Sequence, residues 1–133
     1  MCIFCGIADG SIPSYKVYED DYYLAIMDRY PSAKGHVLIL SKRHAADLYE
    51  LNEEEAVRLI PLTQKVAAHI RAKLGTPGLN LIQNNGKAAG QVIDHFHLHL
   101  VPRDENDGII IKGNTPNQSE KELEQMAELL KLQ

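Results

Sequence analysis

The chain has no apolar run near the roughly 20 residues needed to cross a bilayer, so a membrane-spanning role is not expected. Its first residues lack a basic segment followed by an apolar one, so no secretory signal is expected, and a reducing, cytoplasmic location is the default. Basic residues are not in excess. The net charge of −4 argues against a general nucleic-acid binder, because neutralising a phosphate backbone takes basic surface. Internal repeats, low-complexity segments and interdomain linkers are absent as well. The 133 residues are expected to form one domain, residues 1–133, with 44% hydrophobic content, ordinary for a globular protein. The charge is uneven, however. Arg29, Lys34, Lys42 and Arg43 fall between Arg29 and Ala46 with no acidic residue among them. Such a stretch suits a small anionic ligand or a solvated surface.

Histidine is concentrated where other chemistry is sparse. His95, His97 and His99, half of the six histidines, alternate with Phe96, Leu98 and Leu100. Side chains of a β-strand alternate between its faces, so the pattern predicts a strand with three imidazoles on one face and an apolar anchor on the other. Neighbouring imidazoles would lie about 6.5–7 Å apart along the strand. Imidazole near neutral pH is a nucleophile, a proton shuttle or a metal ligand. A His-x-His strand therefore fits either covalent catalysis or a catalytic metal.

The two cysteines form Cys2-Ile3-Phe4-Cys5. A redox pair, two unrelated buried thiols and half of a metal site are all open readings; the redox reading lacks its usual strand-to-helix context. Cys2 adjoins Met1, so retention of Met1 bears on any site there. Val17 to Met27 reads as an antiparallel hairpin with its turn at Glu19-Asp20-Asp21. His36 to Leu40 reads as a second strand and Leu79 to Asn84 as a third, in the core. Asn52 and Glu55 open a helix that runs to Gly75, and Pro61 should kink or split it. His69 on that helix reads as a surface or packing residue. Asn84 to Gly90 is a loop whose small residues let backbone N–H groups approach phosphate oxygens. Residues 104–133 form a tail in which Ser119 and Glu122 start a C-terminal helix. Asp28, at the end of the hairpin, can cap a turn or bind a ligand.

The run His95-Phe96-His97-Leu98-His99-Leu100-Val101, preceded by Gly90-Gln91 and followed by Pro102-Arg103, resembles the signature of the histidine triad (HIT) family of nucleotide hydrolases and transferases. Cys2-Ile3-Phe4-Cys5-Gly6-Ile7 with Ile12-Pro13, Asp28 ahead of Pro31, and Gly35 to His44 resemble the family's upstream segments. The likeness covers about residues 2–103 and points to the Hint-like branch, in its cysteine-bearing, zinc-binding type. It implies an α+β fold: a sheet of about five antiparallel strands with one long helix packed on it and a C-terminal helix. It implies a homodimer and a small purine nucleotide as partner.

By the same resemblance, His97 is the nucleophile, His99 assists the leaving group and His36 supports them. Asp28 would bind the ribose hydroxyls. Ile3, Phe4, Ile7, Ile26 and Leu38 would wall the base. Asn84 and Gln91 would contact phosphate with their amides, and Val92, where many members carry Ser or Thr, with its backbone N–H alone. Arg29 replaces an apolar residue common in Hint-like members. Cys2, Cys5, His44 and His95 would hold a structural zinc ion, with no catalytic metal. The expected activity is phosphoramidase chemistry at the α-phosphate through a nucleotidyl-histidine. A dinucleoside polyphosphate hydrolase, to which Pro102-Arg103 gives slight support, a nucleotide-binding module with little turnover and a metal-dependent hydrolase are the alternatives.

Overall fold

The computed structural model describes residues 2–111, 113 and 115–132. Met1, whose retention was tied to the cysteine site, lies outside them. Five strands form one antiparallel sheet: β1 (Lys16–Glu19), β2 (Tyr23–Met27), β3 (Val37–Ser41), β4 (Gly78–Ile82) and β5 (His97–Arg103), in the order β1-β2-β3-β5-β4. Among the described residues, three α-helices accompany it: α1 (Ile3–Ala8), α2 (Glu53–Leu74) and α3 (Glu120–Leu130). The α+β architecture matches the expectation.

The alternation of side chains divides the core in two. Tyr23, Ala25, Val37, Ile39, Leu98 and Leu100 face α2 and meet its Leu62, Val66 and Ile70. Leu24, Ile26, Leu38 and Leu40 face the other way and meet Phe4 and Ile7 of α1. β3 is buried along its whole length, as its unbroken Val-Leu-Ile-Leu run requires of a strand covered on both faces. It pairs with β5 so that Leu38 stands opposite His99 and Leu40 opposite His97. Directly opposed residues share a face. The two histidines therefore project onto the α1 side, over an apolar floor.

Helix α2 begins with the reciprocal Asn52–Glu55 capping box and ends at Gly75 in the left-handed region. Pro61 does not split it; the helix continues for 22 residues, with Pro61 on its exposed side. Glu55 has a second role that capping does not reveal. Its side chain is 3% exposed and is gripped by Arg43, with Nη2 to Oε1 at 2.7 Å and Nε to Oε2 at 3.1 Å. Arg43 also donates to the carbonyl of His44 at 3.3 Å, tying that residue to the same clamp. Arg43→Ala strands a buried carboxylate, and urea unfolding should show a loss of about 3 kcal/mol. A loss under about 0.5 kcal/mol would mean that water already solvates Glu55.

Several expectations change. The segment around Cys5, to which the sequence reading assigns no element, is helical, and its first turn lets both cysteines face one point. β4 ends at Ile82, not Asn84, and is an edge strand with Leu81 half exposed, not a core strand. β5 starts at His97; His95 lies in the bend before it. Helix α3 has its Ser119–Glu122 capping box, but all its residues are exposed. No helix among the described residues is long and apolar enough to cross a membrane.

Candidate active site and metal group

A cleft of about 550 Å³ opens between α1, the β2 end and the loop before β5. Ile3, Phe4, Ile7, Ile26 and Leu38 line it as one apolar region; Asp28, Asn84, Gln91, Val92, His97 and His99 line it too. His36 is not on the cleft surface. It is 3% exposed and sits behind His99. Gly35 places it: φ is +87°, a conformation L side chains rarely adopt, and a Cβ there would press on the Leu74 side chain, so the turn into β3 favours glycine.

Hydrogen bonds to groups of known polarity set the proton positions on these rings. The carbonyl of His95 can only accept, and His97 Nδ1 lies 2.7 Å from it. His97 therefore carries its proton on Nδ1, leaving a bare lone pair on Nε2. The backbone N–H of Ser32 can only donate, and it meets His36 Nδ1 at 3.0 Å. His36 thus carries its proton on Nε2, which donates to His99 Nδ1 at 2.9 Å. His99 is left with its proton on Nε2. The site contains a bare, nucleophilic nitrogen on His97 and a hydrogen-bond-donating N–H on His99, with the two rings 5.0 Å apart. That spacing is tighter than a flat strand predicts.

Burial drives the His99 pKa down to about 4, helped by the neighbouring His97 and His36 and opposed by Asp28. Burial lowers His36 as well, again opposed by Asp28. Both rings are neutral at pH 7, as the tautomer chain requires. The sign for stability follows. A histidine depressed in the folded state is neutral above its unfolded value near 6.5, and its protonation favours unfolding as pH falls towards about 4. In chelator, where metal release adds nothing, His99 should remove about 3 kcal/mol between pH 6.5 and 4. Chemical denaturation of the parent and His99→Asn across that window measures it. Parallel curves for the two would contradict the assignment.

Asp28 does two things. Its Oδ1 accepts the N–H of Tyr30 at 2.8 Å, so it caps the turn, and its Oδ2 lies 3.4 Å from His36 Nε2 and 3.9 Å from His99 Nδ1. Gln91 corrects an expectation. Its Oε1 accepts from Gly86 N–H at 2.7 Å, and its Nε2 donates to the carbonyls of Ala46 at 2.7 Å and Ile93 at 2.9 Å. Both N–H groups are engaged, leaving none for phosphate; Gln91 pins the loop instead. Asn84 holds Gln83 through its backbone carbonyl, and its side-chain amide has no such internal bonds among the described residues. Val92 is 92% exposed on the cleft rim.

Cys2, Cys5, His44 and His95 bring their donor atoms within 4.8 Å of one another. His95 Nε2 donates to the carbonyl of Ser41 at 2.7 Å, so its Nδ1 is bare and faces the group. That Nδ1 is 3.5 Å from Cys2 Sγ, 3.5 Å from Cys5 Sγ and 3.3 Å from His44 Nδ1; Cys5 Sγ is 3.1 Å from His44 Nδ1. A ring oriented by a carbonyl on its far nitrogen is set up to ligate. The four residues can hold a metal ion. Asp28, His36 and His99 are equally close together. There, Ser32 occupies the lone pair of His36 Nδ1, so Nε2 holds a proton and is not free to ligate. That cluster is a hydrogen-bond relay.

The description of a HIT domain matches residues 9–106. The chain belongs to the HIT family. A HIT-family relative from Saccharomyces cerevisiae named adenosine 5′-monophosphoramidase is 43% identical over 111 residues, 83% of this chain and 68% of its own. The crystal structure of a HIT family protein from Bacillus anthracis superposes with a TM-score of 0.89 at 40% identity, covering 97% of this chain and 94% of its own. That of a Zn-bound histidine triad family protein from Mycobacterium smegmatis gives 0.77 at 33% identity, covering 96% of each chain. The HIT cleft also includes Tyr15 and Tyr30, 74% and 85% exposed, which no motif singled out. Tyr30 adjoins Asp28 and was within reach of inference; Tyr15 reaches the cleft only through the hairpin's pairing, Met27 N–H donating to its carbonyl.

Proposed function

We propose that this HIT protein hydrolyses purine nucleotides at the α-phosphorus through a covalent nucleotidyl-histidine, with a phosphoramidate bond as the preferred target. The observation that carries the reading is the pair of tautomers: bare Nε2 on His97 beside protonated Nε2 on His99. His97 Nε2 forms a bond to phosphorus as the bond from phosphorus to the leaving atom breaks. The electron pair leaves with that atom, which takes a proton from solvent; the neutral His99 Nε2–H hydrogen-bonds the departing group and keeps its own proton. His97 is now a phosphorylated imidazolium whose Nδ1–H points at the His95 carbonyl, which stabilises the charge. Water then attacks phosphorus, its proton passes to solvent, and the phosphorus–nitrogen bond breaks to restore His97. The nucleoside monophosphate leaves with both rings in their starting tautomers.

The apolar wall of Ile3, Phe4, Ile7, Ile26 and Leu38 suits a purine face. The Asp28 carboxylate has lone pairs to spare for a ribose diol. The Asn84 amide and backbone N–H groups near Val92 suit phosphoryl oxygens. Every residue invoked belongs to one chain.

For the metal group we propose zinc. Zinc–sulfur bonds of about 2.3 Å and zinc–nitrogen bonds of about 2.05 Å give a tetrahedron with edges near 3.5 Å for S···N and 3.3 Å for N···N. Three observed separations, 3.5, 3.5 and 3.3 Å, fall on those edges, and Cys5 Sγ to His44 Nδ1, at 3.1 Å, is the shorter one. Bound there, zinc supplies a rigid crosslink with all four positions filled by protein, which leaves none for substrate.

An amine is a poor leaving group, and the Nε2–H of the neutral His99 offers it a hydrogen bond that a better leaving group needs less. The slight support for the polyphosphate reading came from Pro102-Arg103. The Arg103 side chain is bound to Asn80, Asp107 and the Ile109 carbonyl, and it does not line the cleft. The test compares kcat/KM for adenosine 5′-phosphoramidate and a diadenosine polyphosphate. A preference of at least about tenfold for the phosphoramidate is expected, and His99→Asn should slow the amine leaving group more than a nitrophenolate one. Preference for the polyphosphate, or equal losses in His99→Asn, would overturn the assignment.

A further inference from the structure

We infer that the metal group is the clamp that sets nucleotide binding, because it anchors the helix that forms one wall of the base pocket. The inference rests on the nucleotide reading above and goes beyond the crosslinking role of the metal. Helix α1 has six residues, too short to hold its shape in water unaided. No side chain caps its first turn. Cys2 is its N-cap and Cys5 lies one turn on, so two of the four metal donors belong to this helix. The other two, His44 and His95, come from the segments just after β3 and just before β5. A bound ion therefore ties α1 to the two central strands of the sheet.

The same six residues supply Ile3, Phe4 and Ile7 to the cleft. Ile3 is half exposed and has little else to hold it in place, whereas Phe4 and Ile7 also join the apolar core. Phe4 links the two sites. Its ring meets His95, a donor of the metal group, edge-on at 5.9 Å and His97 edge-on at 5.0 Å. Removing the ion leaves α1 held by the packing of Phe4 and Ile7, with Cys2 and Ala8 adding less deeply buried contacts. The hydrogen bond from His97 Nδ1 uses a backbone carbonyl and survives. The clamp thus acts on affinity and KM, with little effect on kcat.

The experiment uses the full chain, zinc-loaded and chelated, at a temperature where circular dichroism shows both folded. Two readings are taken. Amide exchange in α1 should quicken at least about tenfold on chelation, with β2, β3 and β5 unchanged, and AMP affinity by calorimetry should weaken about tenfold, both restored by zinc. A merely structural ion would lower the melting temperature and leave both readings unmoved below it; that result overturns the inference. If the zinc-loaded chain binds no AMP, the nucleotide reading fails, and the α1 exchange alone decides whether the clamp exists. Should the chelated chain unfold, Cys2→Ser with zinc present provides the comparison, since three donors remain while the helix start is released. There too, unaltered α1 exchange would overturn the inference.

Discussion

His97→Ala is expected to lower phosphoramidate turnover by at least about four orders of magnitude while AMP still binds. Removing the ring removes the lone pair that attacks phosphorus, and no neighbour can replace it. His99 presents Nε2–H to the cleft, and the Nδ1 of His99 already accepts from His36. His36 is buried behind it. The binding surfaces stay, because the apolar wall, Asp28 and Asn84 lie outside the substitution. Pre-steady-state kinetics together with AMP titration separate the two effects. Retention of more than about 1% of turnover would mean that another group, or water directly, attacks. Equal loss of binding and turnover would assign His97 to packing.

The second large effect concerns stability. Cys2→Ser with Cys5→Ser should lower the stability of the zinc-loaded protein by about 3–4 kcal/mol, as a site filled at hundreds of times its dissociation constant provides. For a chain of this length that is about 10 °C in the melting temperature. The double variant should still fold, because both apolar cores are complete without the thiols. Phe96, Leu98, Leu100 and the α2 face form one, and Leu24, Ile26, Leu38 and Leu40 with α1 the other. Calorimetry with and without chelator measures it. If the two proteins melt alike, or if the purified parent holds no zinc, the proposed site falls.

The strand alternation of Phe96 to Leu100 was readable from periodicity alone, and the α2 boundaries from Asn52, Glu55 and Gly75. Both rest on local rules, caps and face alternation, that need no knowledge of the partner elements. Helix α1 escaped notice because its six residues have no capping side chain and no room for a helical period to show. The edge position of β4 escaped because a strand's neighbours depend on the whole sheet order. For the site, residue types were legible and their duties only partly so. Gln91 lines the cleft where expected, yet its amide is consumed by Gly86, Ala46 and Ile93. Arg103 is drawn off by Asp107, Asn80 and Ile109. The tautomers could not be read at all, since they depend on Ser32, Ser41 and the His95 carbonyl, backbone groups that carry no sequence signal.

The central claim is that His97 becomes covalently attached to the nucleotide. The direct measurement is the mass of the intact chain after rapid mixing with adenosine 5′-phosphoramidate and quenching in denaturant at neutral pH. An added adenylyl mass that maps to His97, decays with the rate of AMP release and is missing from His97→Ala is the predicted result. AMP released in a full turnover, with no adduct at any mixing time in either the parent or His99→Asn, would contradict it.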